Sequence, residues 1–278
     1  MSYFSETSGG RLQLDKGAAF CGMLSNKLPP RHVPFTELID GFDAQLRALY
    51  PAVTSGSLAN AHGDWYEWLL ALEGWNYHIA ARTRLLPLQI PNVSQFDRAR
   101  LYQPEPFAII EQLRTKVKTS AAVSLVTSNP DFVLINARAI DLPPWFGEQI
   151  GHLTEESLAL LDNAYRELIG RCGLEAIAGY ASVKLSLRPD RRLQIAHEGS
   201  LTKAVHAHLQ TKLKPGTPVD LKYYAVSTKL GDADRRALRT VATHSIASPD
   251  HEPEAAVDAV YEVNSLNEAT EFFAAILR

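Results

Sequence analysis

The sequence predicts a mixed α/β protein in which one central sheet is flanked by helices. Three observations point to this class. Long segments place apolar residues at helical spacing, shorter ones alternate or run apolar as strands do, and the two kinds follow one another without strict alternation or internal repeat. No linker rich in proline, glycine and serine divides the 278 residues convincingly, so residues 1–278 are read as one unit, with an N-terminal helical subdomain over about 1–100.

The elements follow in order. Phe35, Leu38, Ile39, Phe42, Leu46 and Leu49 mark a surface helix over 34–50 that Pro51 ends. Residues 54–57, Thr-Ser-Gly-Ser, read as a loop, after which Gly63 leads into a long apolar helix reaching about Arg84. Another helix covers 104–119. The apolar runs 121–128 and 132–137, interrupted by Asn129-Pro130, read as two short strands or one bent strand. Thr154 is placed to cap a helix over 154–171. Strict alternation over 181–187 marks a strand with Ser182, Lys184 and Ser186 on one face. The Arg188-Pro189 step should break it, since proline has no N–H and restricts the residue before it. Residues 199–213 read as helix, 219–226 and 240–246 as strands, and 253–263 and 266–277 as helices.

Composition excludes several classes. With 46% hydrophobic residues the chain is globular, and its longest apolar stretches fall far short of the roughly 20 residues needed to span a bilayer. The first residues, Met1 to Glu6, lack the basic and apolar regions of a secretory signal, so the expected location is the cytoplasm. Cys21 and Cys172 are too few and too isolated for a disulfide framework or a cysteine-rich zinc site, and are expected to pack as thiols. The net charge of -3 argues mildly against nucleic acid, but from Lys184 to Lys203, counting both ends, five Lys or Arg face only Asp190 and Glu198, a locally basic segment.

That segment also carries chemistry. Phosphodiester hydrolysis needs a carboxylate to hold a divalent metal and a cation near the attacking water and the phosphate. Asp131 follows Pro130 beside one strand, and a second strand sets Ser182 and Lys184 on one face, so the three can converge. One acid is missing, because Ser182 stands where the usual nuclease pattern has a carboxylate. Glu198 lies fourteen residues after Lys184, at the entry to a helix, and could replace it. Taken singly, an Asp after proline is common in turns and Lys184 could be an ordinary exposed strand residue. Arg188, Asp190, Arg191 and Arg192 add donors suited to guanine O6 and N7 and an acceptor for cytosine N4, or else a surface ion-pair network. Their start, four residues after Lys184, favours base reading beside a cleavage site. His206 and His208, two apart on a helix, do not share a face and are read as non-ligands. No GxSxG, HExxH, P-loop or dinucleotide fingerprint is present.

Residues 182–204, Ser-Val-Lys-Leu-Ser-Leu-Arg-Pro-Asp-Arg-Arg-Leu-Gln-Ile-Ala-His-Glu-Gly-Ser-Leu-Thr-Lys-Ala, closely resemble the core of Type II restriction endonucleases of the CCGG family, within the PD-(D/E)XK superfamily. Thr54 to Ser57, Gly63 to Leu70, Val126 to Asp131, Tyr223 to Ala225 and Val241 to Ile246 also look like family segments in the same order, so the likeness covers roughly residues 50–265, nearest the members that read RCCGGY. The family shares the Ser-x-Lys departure with a displaced glutamate.

The resemblance implies a restriction-endonuclease-like fold and a Type II site-specific deoxyribonuclease. Asp131 and Glu198 would bind Mg2+, Lys184 would orient water and stabilise charge, Glu67 would be a further active-site carboxylate, and Ser182 would occupy the vacated acid position. Arg188, Asp190 and Arg191 would read CCGG, and Asn60, in the loop before the Glu67 helix, the outer pair. The cut would fall before the first C, R^CCGGY, leaving a 5′ CCGG overhang. Double-stranded DNA is the expected partner. A palindromic target calls for a homodimer at least, and a homotetramer by analogy with relatives. A cognate DNA methyltransferase is expected in the same system without direct binding. The rival readings are a structure-specific or repair nuclease of the superfamily and a catalytically inactive DNA-binding regulator.

Overall fold

The computed structural model describes residues 3–6, 12–125, 127–213, 220–247 and 252–278. Val126 and Val219, which belong to expected strands, and Met1 and Ser2 lie outside the described residues. Strands β1 (Phe4–Glu6) and β2 (Leu12–Leu14) form a short antiparallel pair. Helices α1 (Lys16–Met23), α2 (Phe35–Leu49) and α3 (Ser55–Ala81) lead to β3 (Leu85–Gln89), α4 (Pro104–Ala121), β4 (Phe132–Asn136), α5 (Glu155–Asn163) and β5 (Ile177–Lys184). The chain ends with α6 (Pro189–Leu213), β6 (Lys222–Ser227), α7 (Asp232–Leu238), β7 (Ala259–Glu262) and α8 (Leu266–Ile276). The main sheet runs β3-β4-β5-β6-β7, antiparallel from β3 to β5 and parallel from β5 to β7. It is the mixed sheet the sequence predicts.

Strand alternation divides the sheet into two packed faces. Pro87, Phe132, Leu134, Ala181 and Val183 meet Leu70 of α3 and Phe272, Phe273 and Ile276 of α8. Tyr180, on the opposite face, meets Thr202 and His206 of α6 and Ile110 of α4 around a cavity of about 30 Å³. Helix α3 is the central pillar, buried almost continuously from Trp65 to Trp75. Its aromatic residues find partners for their polar tips, as burial requires: Trp65 Nε1 donates to the Lys16 carbonyl at 3.0 Å, Trp68 Nε1 to Asp162 at 2.8 Å, Trp75 Nε1 to the Glu148 carbonyl at 2.9 Å and Tyr66 OH to the Val263 carbonyl at 2.7 Å. These bonds fix the rotation of the helix.

Several expectations are corrected. Residues 54–57 are the start of α3, because Thr54 caps it by accepting from Ser57 N at 3.2 Å. Asn60 therefore sits inside the helix and not in a loop. Pro189 opens α6, at the position where a missing N–H costs nothing, so this helix begins ten residues before Gly199. The described part of 121–128 forms no strand: 104–121 is helix and Val123 is exposed, leaving no face to bury. Residues 243–246 are a 3-10 turn with Ile246 exposed, and only Val241 makes a bridge, to Ala255. Within 253–263, expected as a helix, residues 259–262 instead form β7, which gains a parallel ladder on β6. The helix opened by Thr154 has the cap expected, but α5 ends at Asn163 and passes into a 3-10 turn. Strand β3 went unpredicted because Pro87 interrupts it, which an edge position tolerates.

Candidate active site and DNA-reading turn

Residues at one end of the sheet gather around Asp131. This residue immediately precedes β4, and the pairing of Phe132 with Ala181 puts it beside the C-terminal end of β5. Its carboxylate is held from three sides. Lys184 Nζ donates to Oδ1 at 2.9 Å and Oδ2 at 2.8 Å, Val183 N donates to Oδ2 at 2.6 Å, and Ser182 Oγ donates to Oδ2 at 3.3 Å. The i, i+2 spacing read from the sequence thus brings both Ser182 and Lys184 to Asp131. Burial pushes the Lys184 ammonium toward its neutral form, but the carboxylates of Asp131 and Glu67 outweigh it and hold the pKa above its usual value. Lys184 is therefore charged.

Two further carboxylates close around this pair from opposite faces. Glu67 arrives from α3 and accepts from Gln89 Nε2, at the end of β3, at 3.1 Å. Its pKa is raised well above the usual value, first by burial and next by Asp131, while Lys184 opposes the shift. Glu198 arrives from α6 and is buried; Oε1 accepts from Gln194 Nε2 at 2.7 Å and Oε2 from Tyr223 OH at 3.2 Å. Burial and then Glu198 push the Tyr223 phenol pKa well up, so it remains a donor. The placement of Glu198 depends on Gly199, where a Cβ would collide with the Ala256 carbonyl. Only glycine lets α6 approach that backbone.

The donor set suits a hard divalent cation. Asp131, Glu67 and Glu198 offer carboxylate oxygens, and Gln89 Oε1 is buried without a hydrogen-bond partner among the described residues. No group of three or more His, Cys, Asp or Glu among the described residues could by itself hold a metal ion. A cation bound here would draw part of its shell from water and a phosphate, as Mg2+ does by preference. Gln89, Gln194 and Tyr223 escaped the sequence reading of the site. Tyr223 and Gln194, both in segments of family likeness, had that signal and no other. Gln89 lay on an unrecognised strand and Gln194 in a helix expected to begin later.

The turn after β5 carries the expected base readers. Arg188 and Asp190 are strongly exposed, 67% and 64% at their side chains, and pair at 3.4 Å. Arg191 donates to Gln194 Oε1 at 2.9 Å. Arg192 pairs at 3.0 Å with Asp234 of α7 and so ties two helices together. Asn60 is exposed on α3, seven residues before Glu67 and on the same helical stripe. Glu73, another acid of α3, accepts from Arg31 at 2.7 Å, away from the site.

A five-stranded mixed sheet clad by helices on both faces is the restriction-endonuclease-like α/β class, and solved structures of that class superpose on it closely. The Bse634I restriction endonuclease matches with a TM-score of 0.91 and 27% identity over 99% of this chain and 96% of its own. The Type IIF restriction endonuclease Bse634I with cognate DNA matches with a TM-score of 0.91 and 28% identity over 100% of this chain and 98% of its own. The chain is also 34% identical over 266 residues to the Type II restriction enzyme Cfr10I of Citrobacter freundii, covering 93% of this chain and 92% of that protein. Residues 16–278 match the family described as Cfr10I/Bse634I restriction endonuclease, and the chain belongs to that family of Type II restriction endonucleases.

Proposed function

We propose that this enzyme makes Mg2+-dependent double-strand cuts in DNA at a palindrome with a CCGG core, R^CCGGY, leaving a 5′ CCGG overhang. The observation that carries the proposal is the Lys184 ammonium seated on both oxygens of Asp131, at the end of the strand whose next turn exposes Arg188 and Asp190. Chemistry on the backbone and reading of the bases thereby come from one short segment.

Asp131 and Glu198 would hold the cation, which would supply Lewis-acid polarisation of the scissile phosphate and a lowered pKa of water. Lys184 orients the attacking water and stabilises the charge that develops on the phosphate. Ser182 donates to Asp131 from the place an acid would occupy, and Glu67 adds a carboxylate whose charge is tuned by burial. Arg188 and Arg191 donate to guanine, Asp190 accepts from cytosine N4, and Asn60 discriminates the outer pair. Two copies related by a two-fold axis read one palindrome, and two such dimers form a homotetramer. Residues 1–278 act as a single catalytic and DNA-binding unit in the cytoplasm, with the helices of about 1–100 as its subdomain and a cognate methyltransferase protecting host sites. No helix among the described residues is long and apolar enough to cross a membrane.

Cleavage of a plasmid of known sequence with purified protein and Mg2+, followed by end sequencing, tests this reading. Cuts confined to RCCGGY support it in full, and cuts in another CCGG context correct only the outer pair. Cuts at branched or flapped DNA without sequence preference would replace it with the structure-specific nuclease. Specific binding without cleavage would favour the regulator.

A further inference from the structure

Three polar side chains link the exposed start of α6 to its buried carboxylate. Arg191 Nη1 donates to Gln194 Oε1 at 2.9 Å, and Gln194 Nε2 donates to Glu198 Oε1 at 2.7 Å. Spacings of three and then four residues align the three on one helical face. A primary amide suits the middle position because it accepts at one atom while donating at another. Lysine there could not accept from Arg191, and glutamate could not donate to Glu198. The two neighbours also dictate which way the amide points, since a guanidinium must meet its oxygen and a carboxylate its nitrogen. Gln194 itself is exposed, so these bonds and not packing orient it.

We infer that Gln194 is a positioning residue that makes the state of Glu198 depend on Arg191, and so couples base reading to the metal-binding carboxylate. The inference rests on the roles proposed above for Arg191 and Glu198. In the free protein both oxygens of Glu198 are engaged, one by Gln194 and the other by Tyr223 at 3.2 Å. A carboxylate already accepting two hydrogen bonds has less lone-pair capacity for a cation. Guanine O6 and N7 require two parallel donors from one edge of a guanidinium. When Arg191 turns that edge to a guanine it gives up Gln194 Oε1, the amide loses the contact that orients it, and Glu198 Oε1 is freed. A wrong base leaves Arg191 on Gln194 and Glu198 engaged. Selection then acts on the cleavage step as well as on binding.

Gln194→Met in the full chain keeps side-chain length and removes both hydrogen-bonding groups. Two readouts test it against the parent enzyme: Mn2+ affinity of the DNA-free protein by electron paramagnetic resonance, and single-turnover cleavage of a duplex containing RCCGGY against duplexes with one altered core pair. The expected result is Mn2+ binding several-fold tighter and a cognate-to-altered rate ratio at least tenfold smaller. Unchanged affinity with an unchanged ratio overturns the inference. So does an equal loss of rate on every duplex, because Gln194 would then merely support Glu198. Glu198→Gln, measured alongside, isolates the underlying reading: if it binds Mn2+ as the parent does, Glu198 is no ligand and the proposed site itself fails.

Discussion

Lys184→Met tests the centre of the site, because methionine keeps most of the aliphatic stem and deletes the charge. The ammonium makes two bonds to Asp131, at 2.9 and 2.8 Å, with side-chain exposures of 24% for the lysine and 15% for the aspartate. Breaking one side of a fully buried ion pair costs about 3–5 kcal/mol, and a hydrogen bond to a charged group contributes about 1.5–3 kcal/mol. This pair is only partly buried, and Asp131 keeps its 2.6 Å bond from Val183 N, so the loss of folding stability should be near the lower figure, about 2 kcal/mol. The effect on cleavage should be larger. A donor preorganised toward developing charge typically supplies about 10²–10³-fold in rate, or roughly 3–4 kcal/mol. The variant should therefore fold and retain measurable specific DNA binding while losing at least a hundredfold in cleavage. Urea unfolding followed by tryptophan fluorescence reads the first quantity, since Trp65, Trp68 and Trp75 are buried. A gel shift reads the second and a plasmid-nicking time course the third. A folded variant that cuts within tenfold of the parent would refute the assignment of Lys184.

Four further outcomes follow from the same geometry. Glu67 has a folded-state pKa raised above its usual 4.5, so protons leave the unfolded chain first and the group costs stability as pH rises from about 4.5 through its folded value. Glu67→Gln should then be more stable than the parent in urea at neutral pH, with the gap closing below about pH 4.5, and an unchanged gap across that range would count against a buried carboxyl. Gly199→Ala should cost about 1–3 kcal/mol by overpacking against the Ala256 carbonyl and should slow cleavage by displacing Glu198, both checked by denaturation and single-turnover rates. Arg188→Ala should weaken specific binding by about 1–3 kcal/mol in a gel shift. Arg192→Ala, which removes a tie to Asp234, should instead lower the melting temperature while leaving sequence discrimination intact.

Much of this was legible before any coordinates, and much was not. The alternation that put Ser182 and Lys184 on one face reports a local period, and a strand of any context preserves it. Thr154 capped a helix for the same reason: the bond to Ser157 spans three residues and needs nothing remote. Errors arose where a partner far along the chain decided the outcome. Residues 259–262 carried a helical pattern, yet an open edge on β6 made them a strand. Pro189 was rightly read as lying beyond the end of the strand, which stops at Lys184, but the helix it opens was expected only from Gly199, since proline ends one element and opens another with the same geometry.

The sequence alone determined the class of α/β fold and the acid, lysine and arginine residues from which a nuclease site could be assembled, because those signals lie in residue chemistry and short spacings. Tertiary structure alone decided that Gln89 meets Glu67, that Tyr223 and Gln194 hold Glu198, and that Arg192 braces α7. The physical reason is that these meetings depend on how α3, α6 and α7 pack on one another and on the sheet. Packing is set by buried surfaces contributed from across the chain, which no local period encodes.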